Sequence, residues 1–163
     1  MIVEDGSIVA GADTYVNVTE ARAILTPLGK NISLTEATAE TQLRNALAFI
    51  ESYKARYIGN KKTREQALQW PRYNAVIDGF LVPSDSIPTE LKKAQAMAAY
   101  EIANDEELQA NDSGKKVASE TLGSMSISYF ENGATESTKV FTKVISELSA
   151  VLQPSGNIDL VRT

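Results

Sequence analysis

An apolar stripe in the second quarter of the chain is the feature that most constrains its fold. Apolar side chains recur there every three or four residues, at Leu43, Ala46, Leu47, Ile50, Tyr53 and Tyr57. This period predicts one face of an α-helix, and that face must be covered by another element. We expect the helix to begin at Ser33 or Thr35 and to end at Gly59-Asn60.

An alanine-rich segment further on is suited to cover this stripe. A helix is predicted over residues 89–104, because Ile87-Pro88 places a proline at the first helical position. Its small side chains are Ala94, Ala96, Ala98, Ala99 and Ala103. Alanine is the strongest helix former, and small side chains let a second helix approach closely. We therefore expect this helix to be central.

Two further helices are predicted on either side of this pair. Asn17 or Thr19 caps the first, which runs to about Leu28 and has Gly29 after its end. The last covers residues 137–152 and is followed by a polar tail. Its apolar face comprises Val140, Phe141, Val144, Ile145, Leu148, Val151 and Leu152.

Strict alternation over Met125, Ile127 and Tyr129, with serines between them, predicts a β-strand. Its antiparallel partner is expected at residues 117–121, with the turn at Leu122-Gly123, and a polar linker over 104–116 precedes the hairpin. An isolated hairpin is marginally stable in water, so it must lie on this chain or on a neighbour.

Between the two central helices, residues 61–69 are predicted to form a short helix or a turn. Residues 71–87 are expected to be a loop that docks Phe80-Leu81-Val82 onto the body. The preceding residue pair, Trp70-Pro71, is interpreted as a structural anchor at the start of this loop. We expect the Trp70 ring to fill the core, with its N–H bound to one acceptor.

These elements predict a mainly α fold, a small helical bundle with a protruding β-hairpin and an extended C-terminal helix or arm. At 163 residues the chain has the length of one domain. Residues 1–110 are expected to form the N-terminal arm and the bundle core. Residues 111–163 are expected to add the linker, the hairpin, the C-terminal helix and the tail as appendages.

The composition argues against catalysis. The chain contains no histidine and no cysteine, which removes histidine-based triads, zinc hydrolases and thiolate metal sites. The glycine spacing matches no phosphate-binding loop, and Asp105-Glu106-Glu107 is interpreted as a solvated helix end. We therefore expect no enzyme, no cofactor and no bound metal. The sequence shows no signal peptide and no apolar run of membrane-spanning length.

Charge is distributed unevenly along the chain. The net charge is −5, but residues 44–72 hold seven basic and two acidic residues, a local charge of +5 that leaves −10 for the rest. The acidic total is unfavourable for tight nucleic-acid binding. The basic window, which includes Lys61, Lys62, Arg64 and Arg72, either meets an acidic partner or is a solvated helix end and loop. Arg72 pairs either within the chain or across a subunit boundary.

Several segments, in their order, resemble a known family. They are Met1–Gly6, Ala12–Val16, Gln66–Arg72, Ile87-Pro88, and Ser119-Glu120 followed by Gly123 and Ser126–Tyr129. Over about residues 1–150 the chain is similar to tailed-phage proteins labelled DnaT-like single-stranded-DNA-binding proteins, many of which look like head–tail connector adaptors.

The resemblance implies a virion protein, made in the bacterial host cytoplasm, at the head–tail interface. Such adaptors form a dodecameric ring under the portal protein, extend the channel through which duplex DNA passes without specific binding, and join a downstream tail or neck protein. The alternative is a single-stranded-DNA-binding replication accessory. It requires a basic groove with stacking aromatics, for which Tyr53, Tyr57 and Trp70 are the candidates.

Three contact regions are predicted for the adaptor. The hairpin 117–130, with Met125, Ile127 and Tyr129, contacts a neighbouring copy or the next tail component. The segment 137–163, with Phe141, Val144, Leu148 and Leu152, reaches the portal. The basic window near Lys61, Lys62, Arg64 and Arg72 meets an acidic neighbour.

Overall fold

The structure, a computed structural model, describes residues 1–104 and 143–153 together with the backbone of two strands between them. The fold is mainly helical with a β-hairpin, as predicted. The helices are α1 (Val18–Leu25), a 3-10 turn (Thr26–Leu28), α2 (Glu36–Glu51), α3 (Thr89–Ala103) and a further helix at residues 143–149, named α4. The strands are β1 (Asn60–Lys61), β2 (Arg72–Tyr73), β3 (Val76–Ile77), β4 (Phe80–Leu81), β5 (Ser119–Leu122) and β6 (Met125–Ser128).

Helix α3 occupies the centre of the bundle and packs against both α1 and α2. Its alanines at 94, 96, 98 and 99 are fully buried, which confirms the predicted central helix. Pro88 lies just before the first helical turn and not, as predicted, at the first helical position. These alanines end in a single methyl group, so α1 and α2 can pack closely against α3.

Ion pairs and hydrogen bonds fix the direction of the three helices. Lys92 pairs with Glu20 at 2.8 Å and Glu101 pairs with Lys30 at 3.6 Å, so α1 and α3 run parallel. Tyr15, which precedes α1, donates a hydrogen bond to Glu51 at the end of α2. Helix α2 therefore runs antiparallel to both of its neighbours.

Helix α1 is shorter than predicted. The Asn17 side chain accepts a hydrogen bond from the Glu20 N–H at 2.7 Å, which confirms it as the cap. The α-helix ends at Leu25 rather than near Leu28, because Pro27 has no N–H to continue it and the chain tightens into a 3-10 turn. Gly29 follows in the left-handed conformation, as expected.

Helix α2 ends at Glu51, well before the predicted Gly59-Asn60. Tyr57 of the apolar stripe is nevertheless buried, because residues 56–58 pair with the chain after α4 instead of extending the helix. The Ile58 N–H donates to the Val151 carbonyl at 3.1 Å, and the Gln153 N–H donates to the Arg56 carbonyl at 2.6 Å.

The predicted hairpin is present in the structure. Strands β5 and β6 are antiparallel, with Leu122 opposite Met125 and Ser119 opposite Ser128. Leu122 belongs to β5 rather than to the predicted turn, and residues 123 and 124 lie outside the described residues. Tyr129, Phe141 and most of the predicted linker lie outside the described residues.

The segment between α2 and α3 differs from the prediction. Residues 61–69 form no helix; β1 pairs with β2 across a loop held by the buried Gln66 side chain. Its amide donates to the Leu68 and Pro71 carbonyls at 2.9 and 3.1 Å, and its carbonyl accepts from the Thr63 N–H. Residues 76–81, expected to be loop, form the β3–β4 hairpin.

Candidate interaction surface

Trp70 lies at the junction of the N-terminal arm, α2 and the loop before β2. The residue is fully buried and its ring meets the Tyr57 ring edge-on, with 6.5 Å between centroids. The prediction that Trp70 fills the core is confirmed. The expected acceptor for its N–H is not found, because Nε1 has no hydrogen-bond partner within the described part of the chain.

A buried hydrogen-bond network surrounds this ring. The Tyr15 hydroxyl donates to Glu51 Oε1 at 2.6 Å and accepts from the backbone N–H of Trp70 at 3.2 Å. The Glu51 carboxylate also accepts from the Gln69 N–H at 3.2 Å. Burial raises the pKa of Glu51, although these hydrogen bonds and the charges of Lys61 and Arg72 oppose the shift. Burial and the nearby Glu51 charge raise the pKa of Tyr15.

The raised pKa of Glu51 predicts a pH-dependent stability. The folded state holds this proton more tightly than the unfolded state, so stability falls as pH rises from about 4.5 through the folded-state pKa. We expect Glu51→Gln to flatten this part of the profile, measured by urea denaturation between pH 4 and pH 8. The exposed Glu65→Gln is the control, and an unchanged slope in Glu51→Gln would contradict the prediction.

Arg72 belongs to this buried junction and not, as predicted, to a basic surface together with Lys61, Lys62 and Arg64. Its guanidinium donates to the Ile58 carbonyl at 2.7 Å, to the Gly59 carbonyl at 2.8 Å and to the Gln69 carbonyl at 3.3 Å. The residue is buried because these backbone oxygens replace water around its N–H groups. Of the two alternatives for Arg72, the structure supports bonding within the chain.

Gly59 allows this junction to close. Its φ of +67° lies in the left-handed region, and a Cβ atom there would collide with the carbonyl oxygen of Tyr73. Glycine is therefore required for β1 and β2 to meet at this point. The sequence predicts a helix end at Gly59, but the contact that requires glycine there is with Tyr73, 14 positions later.

The sequence did not predict the roles of two buried polar residues, Gln95 and Glu4. Gln95 on α3 accepts from the Tyr15 N–H and donates to Thr14 Oγ1 and to the Leu43 carbonyl, each at 2.9 Å. Glu4 accepts from the N–H groups of three residues, Gly6, Ile8 and Val9, at 2.9–3.0 Å. A polar residue among buried alanines was the available signal for Gln95. Both side chains organise the N-terminal arm through three hydrogen bonds each.

Five cations lie beyond the end of α2, and we call them the basic pole: Lys54, Arg56, Lys61, Lys62 and Arg64. The Lys61 ammonium donates to the Gln66 carbonyl at 3.2 Å, and Lys62 lies 6.0 Å from the Tyr73 ring centre. None of the five forms an ion pair with another described residue. By contrast, four other cations pair with carboxylates: Arg22, Lys30, Arg44 and Lys92.

The β3–β4 hairpin, residues 76–81, presents apolar side chains to solvent. Phe80 is 78% exposed and Leu81 is 67% exposed, so the expectation that they dock onto the body is wrong. Val82, the third residue of that expectation, does pack against the core. Asp78 and Gly79 both have positive φ, which is typical of the two-residue turn that joins short antiparallel strands. We call this element the apolar hairpin. The Asp78-Gly79 pair was the sequence signal for it.

The C-terminal residues predicted to reach a portal lie in the core of this chain. Val144 and Leu148 of α4 are fully buried, and Leu152 is buried where it bridges to Tyr57. They are covered because α4 packs onto the bundle. The described part of this segment therefore offers the opposite, polar face of α4 to any partner.

Within the described residues, no group of acidic side chains is arranged to hold a metal ion. The same part of the chain contains no helix with the length and apolar character needed to cross a bilayer. The surface is distinguished instead by the basic pole and the apolar hairpin, which lie on the same connection between α2 and α3. These two features suit binding to another macromolecule.

The family model described as "Putative DnaT-like ssDNA binding protein" matches residues 1–163 of the chain. No curated protein and no solved structure matches the chain significantly. The chain belongs to this DnaT-like family.

Proposed function

We propose that this chain is a non-enzymatic assembly protein, the head–tail adaptor of a tailed bacteriophage. In this role, copies form a ring, which we take to be dodecameric, under the portal protein of the virion. The ring extends the channel for packaged duplex DNA and contacts a downstream tail or neck protein. The observation that carries the proposal is the exposure of the apolar hairpin.

Exposure of the apolar hairpin to water is energetically unfavourable for a monomer. Phe80 and Leu81 are large, exposed apolar residues on an antiparallel two-stranded element. Exposed apolar groups of this kind mark protein–protein contacts. In a ring, each copy uses one surface to bind a different surface of the next copy, so a small projecting hairpin is a suitable contact.

Single-stranded DNA binding is the second candidate, and two observations favour it. The family carries that description, and Lys62 lies beside Tyr73, an exposed aromatic ring that could stack on a base. Two of the three expected stacking residues argue against it, because Tyr57 and Trp70 are buried in the core, whereas Tyr53 is partly buried. The family description favours this second candidate. We place the adaptor first because of the exposed apolar hairpin.

Replacing both Phe80 and Leu81 by serine is expected to abolish ring formation while leaving the fold intact. Both side chains are exposed, so their removal costs the monomer little, whereas an interface loses its apolar contact. Native mass spectrometry of the purified protein, with and without purified portal protein, measures the assembly. Leu34→Ser is the matched control, because Leu34 is 91% exposed and lies before α2, outside the hairpin.

A labelled single strand of DNA, titrated at physiological salt, separates the two candidates. We expect no salt-sensitive binding by the wild-type chain. Binding of the strand without any assembly on the portal would replace the adaptor with the second candidate. Normal assembly of the Phe80/Leu81 double variant would remove the hairpin from the interface.

A further inference from the structure

We propose that the basic pole and the apolar hairpin form one docking surface, and that its occupant is the acidic surface of a second copy of this chain. The inference rests on the proposed ring and specifies the chemistry of its copy-to-copy contact. It is carried by the exposed side chains of residues 54–81 and by the charge of the rest of the chain. The experiment below distinguishes this occupant from DNA and from the portal protein.

The two halves of the docking surface meet at Tyr73. Strands β1 and β2 place Asn60 opposite Tyr73, and the Lys62 ammonium lies 6.0 Å from the Tyr73 ring centre. Val76 follows Tyr73 by three residues, so at most about 11 Å separates their Cα atoms. Val76 in turn lies directly opposite Leu81 in the apolar hairpin. The cations of the basic pole and the exposed apolar side chains therefore adjoin.

Exposed apolar groups are concentrated in this part of the surface. Of the seven large apolar residues that are exposed in the described part of the chain, four lie within residues 73–81: Tyr73, Val76, Phe80 and Leu81. Single exposed apolar residues are common on proteins, whereas a group of them marks a contact. The apolar half of the docking surface is therefore suited to burial against another protein.

Contacts within the chain hold the docking surface in place. At the base of the hairpin, the Val82 N–H donates to the carbonyl of the buried Ala75 at 2.8 Å. The side chains of Gln66 and Arg72 bind backbone carbonyls of the loop that carries the cations. A surface that is ordered before binding loses little conformational freedom on binding, which favours a specific contact.

The charge distribution identifies the occupant. None of the five cations of the basic pole forms an ion pair with another described residue. The net charge of the chain is −5 and that of residues 44–72 is +5, so the rest carries −10. Two of its acidic residues, Asp5 and Asp85, are exposed and form no ion pair within the described part. A second copy therefore supplies the complementary negative surface, and pairing of unlike surfaces gives the head-to-tail orientation of a ring.

Charge reversal tests the basic half of the docking surface. The variant carries Lys62→Glu and Arg64→Glu, and its copies should associate at least about tenfold more weakly than wild type, because like charges then face each other. The matched control carries Lys93→Glu and Lys143→Glu, two exposed lysines of α3 and α4 without an ion pair among the described residues. It changes the net charge equally and should associate like wild type.

Native mass spectrometry of the full chain, at low and high salt and with and without portal protein, provides the readout. High salt should weaken the wild-type association, because part of the contact is between exposed charges. Circular dichroism establishes that each variant is folded. Binding of a labelled single strand of DNA is measured on the same samples.

A mixing experiment identifies the occupant. A quadruple variant with Lys62→Glu, Arg64→Glu, Phe80→Ser and Leu81→Ser lacks the docking surface but keeps the acidic surface. It is mixed in excess with wild type and transferred from high to low salt. The variant should then fill the docking surface of wild-type chains and stop their growth, so pairs of one wild-type and one variant chain should replace closed rings. The control variant in the same excess should enter the rings.

The outcomes separate this inference from the proposed function. Weaker association of the charge variant, together with the mixed pairs, establishes the contact. Charge-variant association equal to that of the control, or closed wild-type rings that persist in the mixture, overturns the contact and leaves the ring standing. Loss of binding to portal protein or to DNA, with copy-to-copy association unchanged, also overturns it and assigns the surface to that partner. A wild-type chain that stays monomeric at all concentrations, with and without portal protein, overturns the ring and the contact together.

Discussion

Replacing Trp70 by alanine is expected to lower the free energy of unfolding by about 3–5 kcal/mol, the usual cost of deleting a large buried aromatic side chain. Trp70 is fully buried and packs edge-on against Tyr57. Its backbone N–H also donates to the Tyr15 hydroxyl, so a collapse around the cavity would disturb the Tyr15–Glu51 hydrogen bond. The loss should thus fall at the upper part of this range.

Urea denaturation followed by far-ultraviolet circular dichroism measures this effect, because the variant removes the only tryptophan. Tyr73→Ala is the matched control: Tyr73 is an aromatic residue three positions away that is 45% exposed. It should change stability by no more than about 0.5 kcal/mol. A Trp70→Ala loss below about 1 kcal/mol would show that the ring does not hold the junction together.

The elements that the sequence predicted well are those whose signals are local. The apolar period of α2, the alanines of α3 and the alternation in β6 each lie within one element, and each element forms. The Asn17 cap depends on a contact only three residues away. Local periodicity and capping involve residues that are close in sequence, so they can be predicted from neighbouring residues.

The features that the sequence did not predict depend on distant residues. Tyr57 continues the helical period, but pairing with Leu152 draws it into the core outside the helix. Arg72 looks like part of a charged surface, yet the carbonyls of Ile58 and Gly59 surround its guanidinium. A period or a charge count cannot show which backbone oxygens will lie beside a cation. The burial of Leu148 follows in the same way from the docking of α4.

The position of the N-terminal arm was not predicted, because it depends on contacts with Gln95. This side chain binds Tyr15 and Thr14, residues about 80 positions earlier, and also the Leu43 carbonyl of α2. One amide therefore joins the arm to both central helices. Because all its partners are buried, the arm's position depends on a residue that local patterns treat as one polar interruption in an apolar helix.

Replacing Gln95 by leucine is expected to lower the free energy of unfolding by about 2–4 kcal/mol, measured by urea denaturation. Leucine fills a similar volume but accepts no hydrogen bond, so the buried Tyr15 N–H loses its partner. Gln42→Leu is the matched control. Gln42 is half-buried and accepts one hydrogen bond, from the Ser33 N–H, and its loss should cost less than about 1 kcal/mol.

A second variant, Gln95→Glu, separates the loss of hydrogen bonds from a change in packing. The carboxylate can still accept from the Tyr15 N–H, but it cannot donate to the Leu43 carbonyl while ionised. Its destabilisation should therefore be larger at pH 7 than at pH 4, where protonation restores a donor and removes the buried charge. Equal stability losses at both pH values would mean that the amide's donors contribute little. The arm would then be held by packing, chiefly of Tyr15 and Val16 in the core.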